Sequence, residues 1–355
     1  MNNRFLTRNI PANRDDRKTV SYEEYVAAGG YQTLKQVLQM KPEEVVDIVK
    51  AAELRGRGGA GFPCGVKWTF LPEPDGKVRY LCINCDEAEP GTFKDRLLVD
   101  FDPHSVIEGI AIACYACKLD TAFFFIRGEW EAQAKIMQIA IDEAYAHGIF
   151  GSQGIMNGAT DFAIECTQHR GAGAYICGEE TALLEAVEGK RGWPRIKPPF
   201  PAVKGLFGRP TIINNVETLA AIPLIIEHGV DWWKSFGSES SIGGPASFGL
   251  KLMGVSGHVN NPDVFEVPLG ITLRSLVDDY AGGMKNGRAF KGAIAGGASM
   301  GVLGPDQFDA EMDFDIGKKY DLMGLGTACP TIFDEDTDMV AVARNLARFF
   351  KNESC

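Results

Sequence analysis

At 355 residues, 45% hydrophobic and 23% charged, the chain is long enough for two domains with sizeable cores, and its composition excludes a disordered or fibrous protein. A net charge of −11 at pH 7 excludes the clustered cationic surface that a nucleic acid needs, although glycine loops and a few local cations can still hold a nucleotide. No apolar run of about 18 residues appears and the amino-terminal MNNRFLTRNIPANRDDRK lacks a leader's apolar core, so a soluble cytoplasmic chain without membrane insertion is expected, its nine cysteines reduced.

In chain order, Ser21-Tyr22-Glu23-Glu24 has capping-box spacing and starts a helix. Pro42 followed by Glu43 and Glu44 starts a second, expected to end near Arg55-Gly56. From Val78 short apolar runs (YLCI, TAFFFIR, FAIEC) alternate with longer amphipathic stretches around 104–118 and 129–147, which is α/β order. Asn214-Asn215-Val216-Glu217 opens another helix, running to the Gly229 region with Pro223 inside it as a predicted kink. The small, polar, glycine-rich stretch 235–249 has linker composition and marks a domain boundary. Beyond it LKLMGVSG, DVFEVPLG, a helix over Thr272–Ala281 and GAIAGG predict a small α+β domain. Last, Met339, Val342, Leu346, Phe349 and Phe350 share one face of a helix over Met339–Lys351, the first of a further domain.

Several motifs carry chemistry and each has a plainer reading. Gly56-Arg57-Gly58-Gly59-Ala60-Gly61 has the G-x-G-x-x-G spacing that brings backbone N–H groups close to a phosphate, but a helix precedes it and Phe62-Pro63 follows, so alone it reads as a turn. Two CxxC pairs, Cys82/Cys85 and Cys114/Cys117, have metal-ligand spacing. The second continues the stripe Val106, Ile107, Ile110 and reads as helix core, while strand residues Cys82 and Cys85 point to opposite faces. Gly297-Ala298-Ser299-Met300-Gly301 matches a nucleophile elbow, yet the five histidines (104, 147, 169, 228 and 258) all precede Ser299, against the order a hydrolase needs. Asp86, Glu87 and Glu89 follow a predicted strand where an α/β sheet presents its ligand edge. Glu179 and Glu180 start a helix after the run Gly171 to Gly178; acids there can simply complement the helix dipole, but two acidic clusters beside glycines favour a shared site.

Taken together, Arg55-Gly-Arg-Gly-Gly-Ala-Gly-Phe62, Asn84-Cys-Asp-Glu-Ala-Glu-Pro-Gly91, Tyr175-Ile-Cys-Gly-Glu-Glu-Thr181, Lys197-Pro-Pro-Phe-Pro201 and Asn214-Asn-Val-Glu-Thr218 resemble the flavin-binding NADH dehydrogenase subunit of respiratory complex I, over everything after the first twenty or so residues. The resemblance implies a Rossmann-like α/β domain binding FMN and NADH (1–234), a ubiquitin-like β-grasp domain of the soluble-ligand-binding type (249–333) and the start of a helical iron–sulfur domain (334–355). It implies that Gly56, Arg57, Gly58, Gly59, Ala60, Gly61, Gly65, Lys67, Asn84, Asp86, Glu87, Gly171, Gly173, Tyr175, Gly178, Glu179, Asn214, Asn215 and Thr218 line the flavin and its phosphate. Glu89 would meet the nicotinamide amide, Phe62, Phe70 and Phe200 the adenine, Glu180 the adenosine ribose, and Lys197 the dinucleotide; Glu89 and Glu180 are the expected catalytic-site acids.

The implied reaction is hydride transfer from NADH to FMN, then one-electron steps through iron–sulfur clusters toward quinone. Its implied partners are a [2Fe-2S] subunit and a larger iron–sulfur subunit, at the cytoplasmic face of the bacterial inner membrane. Glu180 beside the ribose would repel the extra phosphate of NADPH. Two departures stand out. Cys64 occupies a position where these proteins carry a small hydroxyl residue, placing a thiol near the pocket. Asn352-Glu353-Ser354-Cys355 matches the start of a family motif that continues into Gly-x-Cys-x-x-Cys-Arg, with a fourth cysteine later, so truncation is expected, with Cys355 as one of four [4Fe-4S] ligands.

Overall fold

The computed structural model describes residues 4–240 and 244–355. The chain divides into two compact units: one holds the chain up to Gly56, Phe62–Glu87 and Asp95–Trp232, the other Arg57–Gly61, Ala88–Lys94 and Trp233–Cys355. The main division falls between Trp232 and Trp233, and two short segments from the first half of the chain pack with the second unit.

In the first unit α1 (Tyr22–Ala27) begins at the capping box read from Ser21 and Glu24. A helix α2 (Gln32–Val37), unmarked in the sequence, precedes α3 (Pro42–Ala51), which stops short of Arg55. There Glu53 takes a positive φ of 51° and Arg55 pairs with Pro63 across the glycine loop. Next come α4 (Cys64–Trp68), β1 (Tyr80–Cys85), α5 (Lys94–Phe101), α6 (Pro103–Cys117), β2 (Thr121–Ile126), α7 (Glu131–Ala146), β3 (Glu165–Arg170), α8 (Glu180–Val187), α9 (Pro201–Lys204), β4 (Thr211–Asn215) and α10 (Val216–His228). The strand predicted in FAIEC is shifted: Phe162 and Ile164 sit in isolated turn and bridge contacts, and pairing with β2 starts at Glu165. Helix α10 runs through Pro223, and Asn215 caps its start.

The sheet is parallel, in the order β3-β2-β1-β4. Its central strand β1 is buried almost throughout, which is why it reads as a continuous apolar run. Tyr80 and Cys82 share one face with Leu183, Leu184 and Val187 of α8 and with Ile213, and each fully buried leucine or isoleucine there contributes about 1.5–3 kcal/mol. Cys85 points the other way by the strand's twofold period, and Cys114 and Cys117 lie buried in α6. Glycine is required at Gly65, whose added Cβ would fall 2.4 Å from the Lys50 backbone nitrogen; that position sets the packing of α4 on α3.

The second unit carries a short ribbon of β5 (Gly237–Ser238) and β6 (Ser247–Phe248) in what reads as linker, residues 241–243 lying outside the described residues. Its main sheet has the order β10-β9-β11-β7-β8, with β7 (Leu250–Gly257), β8 (Asp263–Pro268), β9 (Phe290–Ile294), β10 (Val302–Leu303) and β11 (Thr331–Asp334). β7 runs parallel to β11 and antiparallel to β8. A helical segment capped by Thr272 covers the sheet through Leu273, Leu276 and Val277, which join Met253, Val255, Val267 and Ile332 in one core, a β-grasp arrangement. The last helix, Met339–Glu353, is capped by Asp338 and buries none of its residues. Among the described residues no helix is long and apolar enough to cross a membrane.

Candidate functional site

In the first unit the chain leaves β1 toward β2 and β3 on one side and returns as β4 on the other, so the strand order reverses between β1 and β4. At such a point the loops beyond the strands' carboxyl ends diverge and leave a crevice, the usual ligand position in an open α/β sheet. Asn84 and Asn215 are register partners there. The Asn84 amide donates to the Gly178 carbonyl at 2.7 Å and its oxygen accepts from the Asp86 backbone N–H at 3.1 Å. Oδ2 of Asp86 is buried with no hydrogen-bond partner among the described residues. Burial pushes the Asp86 carboxyl up to about 7, with Glu129 adding to the rise and Arg127 opposing it.

Neighbouring predicted residues are committed to structure. Glu87 accepts from the Asp95 and Arg96 backbone N–H groups at 2.9 and 3.1 Å and so caps α5. Asn214 accepts from the Trp68 indole at 3.0 Å and donates to the Cys64 sulfur at 3.4 Å. Asn215 donates to Asp95 at 2.6 Å and accepts from the N–H groups of Glu217 and Thr218, while Thr218 is buried in α10. Burial pushes the Cys64 thiol up to about 12, so the thiol is protonated within the core.

The second acidic cluster is built differently. A 3₁₀ turn over Tyr175–Gly178, following the loop of Gly171 and Gly173, delivers Glu179 to the start of α8, where its Oε2 accepts from the Thr181 and Ala182 N–H groups. Lys197 then reaches Glu179 at 3.1 Å and Glu180 at 2.7 Å, and Lys67 reaches the other Glu180 oxygen at 3.2 Å and the Ile213 carbonyl at 2.9 Å. Burial acts to raise both carboxyls, but the Thr181 and Lys197 hydrogen bonds hold Glu179 below its ordinary range, and Lys67 and Lys197 do the same for Glu180. Phe62 and Phe70 are exposed with ring centroids 6.0 Å apart, and Phe200 is exposed at the start of α9.

In the second unit Arg57 is buried and donates to the Phe248 carbonyl at 2.8 Å, its guanidinium carbon 5.5 Å from the Trp233 ring centre. Gly58 and Ala60 are exposed, and Gly59 and Gly61 have positive φ. No strand leads into this loop and α4 starts only at Cys64, so it is a glycine turn and not the strand-loop-helix fingerprint. Glu89 accepts from Ser299, a contact invisible to local spacing because the two lie 210 residues apart. Among the described residues no group of three or more histidine, cysteine or acidic side chains is arranged to hold a metal ion.

A parallel α/β sheet whose strand order reverses between β1 and β4, followed by a β-grasp unit, defines the class: an open α/β protein with an appended β-grasp module. Residues 49–224 match the Nuo51 FMN-binding domain family and residues 252–303 the SLBB domain family. An NADH-quinone oxidoreductase subunit of Rhizobium meliloti (strain 1021) is 48% identical over 93% of this chain and 76% of its own length. The corresponding NADH-quinone oxidoreductase subunit of Mycobacterium tuberculosis (strain ATCC 25618 / H37Rv) is 46% identical over 99% of this chain and 78% of its own. A crystal structure of an NAD+-reducing [NiFe]-hydrogenase in the H2-reduced state superposes with a TM-score of 0.80 at 33% identity, covering 95% of this chain and 55% of that one. The chain belongs to the family of NADH-quinone oxidoreductase subunits built on the Nuo51 FMN-binding domain.

Proposed function

We propose that this chain binds FMN and NADH and passes reducing equivalents from the nicotinamide toward iron–sulfur centres and quinone, as a peripheral subunit at the cytoplasmic face of a complex I-type assembly. The observation that carries the reading is the switch point between β1 and β4, where Asn84 and Asn215 are register partners and the buried Oδ2 of Asp86 has no hydrogen-bond partner among the described residues. A buried acceptor left unsatisfied costs free energy until a donor arrives, and the hydroxyl-bearing chain of FMN supplies donors of the right kind. The Nuo51 FMN-binding family match over residues 49–224 supports the same ligand.

FMN held there supplies a two-electron acceptor for the hydride of NADH and a one-electron donor for iron–sulfur centres. The chain's own part is binding and orientation. Asn84, Asp86 and Gly178 of the first unit hold the flavin. Glu89 accepts from the nicotinamide amide, Phe62, Phe70 and Phe200 offer apolar faces to adenine, and Lys197 with Glu180 meets the ribose end. Holding the two rings in register replaces a bimolecular encounter and supplies much of the rate. Cys355, exposed at its position, is the residue assigned to a [4Fe-4S] cluster. A [2Fe-2S] subunit and a larger iron–sulfur subunit are the proposed protein partners.

Titration with FMN, followed by quenching of flavin fluorescence, is expected to saturate at one flavin per chain, and the loaded protein to reduce ferricyanide with NADH. Asp86→Ala should weaken flavin binding about tenfold, or about 1.4 kcal/mol. Folded protein that takes up no flavin overturns the reading.

A further inference from the structure

The Gly297-Ala298-Ser299-Met300-Gly301 loop has the spacing of a nucleophile elbow and no part in the function proposed above. Within the second unit it lies against the segment 88–94. The Ser299 backbone N–H and its hydroxyl both donate to Oε1 of Glu89, each at 2.6 Å. Gly297 has φ +109°, and a Cβ there would fall 2.5 Å from Cγ and 2.9 Å from Oε1 of Glu89, so the acid's stem lies flat against glycine backbone. The segment is fastened on both sides of the acid. The Ala298 N–H donates to the Pro90 carbonyl at 3.3 Å, and the Thr92 and Thr327 hydroxyls meet at 2.6 Å. Thr327 is in turn tied to the Gly296 carbonyl through both its N–H and its hydroxyl.

Two short donors converging on one oxygen fix the rotamer of a half-buried carboxylate and choose which oxygen remains directed elsewhere. An ordinary surface glutamate has several rotamers and loses that freedom only on binding a ligand. We infer that Ser299, seated by Gly297, is a positioning residue that holds Glu89 ready for the nicotinamide amide of the dinucleotide. This rests on the role given to Glu89 above. The serine hydroxyl acts as a donor and has no nucleophilic task.

The test uses the FMN-loaded full chain. Equilibrium dialysis with NAD+ reads nucleotide affinity, flavin stoichiometry reads the integrity of the holoprotein, and ferricyanide reduction separates KM for NADH from kcat. Ser299→Ala is expected to raise the NAD+ Kd and the NADH KM about tenfold, with kcat changed less than about threefold and flavin retained. Ser299→Thr, which keeps the hydroxyl, should recover most of the affinity, and Gly297→Ala should reproduce the loss by displacing the acid. Glu89→Gln should weaken NAD+ binding by itself, and adding Ser299→Ala to it should cost nothing further, since a positioning residue acts through the group it positions. If Glu89→Gln binds NAD+ like the wild type, the role of Glu89 is wrong and this inference falls with it. If Glu89→Gln weakens binding while Ser299→Ala does not, or if Ser299→Ala costs the same in both backgrounds, the role of Glu89 stands and that of Ser299 is overturned. Should Ser299→Ala lose its flavin, Ser299→Cys, with a weaker donor of similar size, carries the same comparison.

Discussion

Two acidic clusters in the first unit, both beside glycines and both at the end of an element, have opposite electrostatics. Glu180 is held between Lys67, 113 residues away in sequence, and Lys197, 17 residues away, and stays ionised below its ordinary range. Asp86, two residues beyond Asn84 at the end of β1, has one buried oxygen with no hydrogen-bond partner among the described residues and is pushed up to about 7. Local spacing is nearly the same in the two cases; distant cations decide the difference. The first cluster is a charge network in which each acid has a cation, and under the proposed function it meets a ligand by exchanging partners. The second leaves an oxygen that, under the same reading, a ligand's donors would satisfy.

The largest expected effect comes from stripping the first cluster of its cations. In Lys67→Met/Lys197→Met, Glu179 and Glu180 remain as adjacent, part-buried acids without counter-charge, and the free energy of unfolding at pH 8 should fall by about 3 kcal/mol. The sign with pH follows from the lowered folded-state values. In the wild type the pairing contributes stability above the unfolded carboxylate value of about 4.3 and loses it as the pH falls through the lower folded value. The deficit of the double variant should therefore shrink in urea titrations toward pH 4. Equal stability of the two proteins at pH 8 would erase the contrast between the clusters.

Asp86→Asn should produce a smaller effect of opposite sign. A carboxyl whose folded value of about 7 exceeds its unfolded one gives proton-linked stability that is full below about pH 3.9 and lost as the pH rises through 7. Replacing it with an uncharged amide should make the ligand-free protein more stable than the wild type by about 1–2 kcal/mol at pH 8, with the curves meeting near pH 4. Asp102 carries a similar rise but is common to both proteins, so the difference curve isolates Asp86. Parallel stability curves across that range would place the unsatisfied oxygen in contact with water.

What could be read from the sequence was what is local. Ser21 with Glu24, Pro42 with its two acids, and Asn215 as a cap announce helix starts through contacts within four residues, and the stripe holding Cys114 and Cys117 announces a buried helix face. Helix α2 was not legible because Tyr31 enters it in a left-handed conformation, φ 61°, with no side-chain cap. Strand β4 abuts α10 without a turn, so Thr211–Asn215 looks like the approach to a helix. Glu87 follows the strand predicted over YLCINC and Asn214 stands in a motif that opens a helix, but their commitment to capping and to the Trp68 indole needs tertiary structure to be seen. The same holds for Gly65, whose reason is the Lys50 backbone, and for the packing of residues 57–61 with the second unit.

The smallest expected effect concerns nucleotide choice. A carboxylate at the adenosine ribose accepts hydrogen bonds from its hydroxyls and repels the additional phosphate of NADPH, and on Glu180 alone a penalty of about 1–3 kcal/mol would follow. Glu180 is not alone, however: Lys67 and Lys197 each contact it, and the two lysines balance the charges of Glu179 and Glu180. The net field that a ribose would meet there is therefore weaker than one bare carboxylate would produce, and each lysine can itself approach a phosphate. Glu180→Gln should raise kcat/KM for NADPH relative to NADH by only about three- to tenfold, near 1 kcal/mol. If Glu180 merely complements the dipole of α8, the substitution lowers thermal stability and leaves the ratio of the two nucleotides where it was. Adding Lys197→Met to Glu180→Gln separates attraction from repulsion: loss of NADPH turnover beyond the loss for NADH would show that Lys197 had turned to the phosphate once its acid was gone. A ratio unchanged in both variants would remove the Glu180 cluster from nucleotide selection.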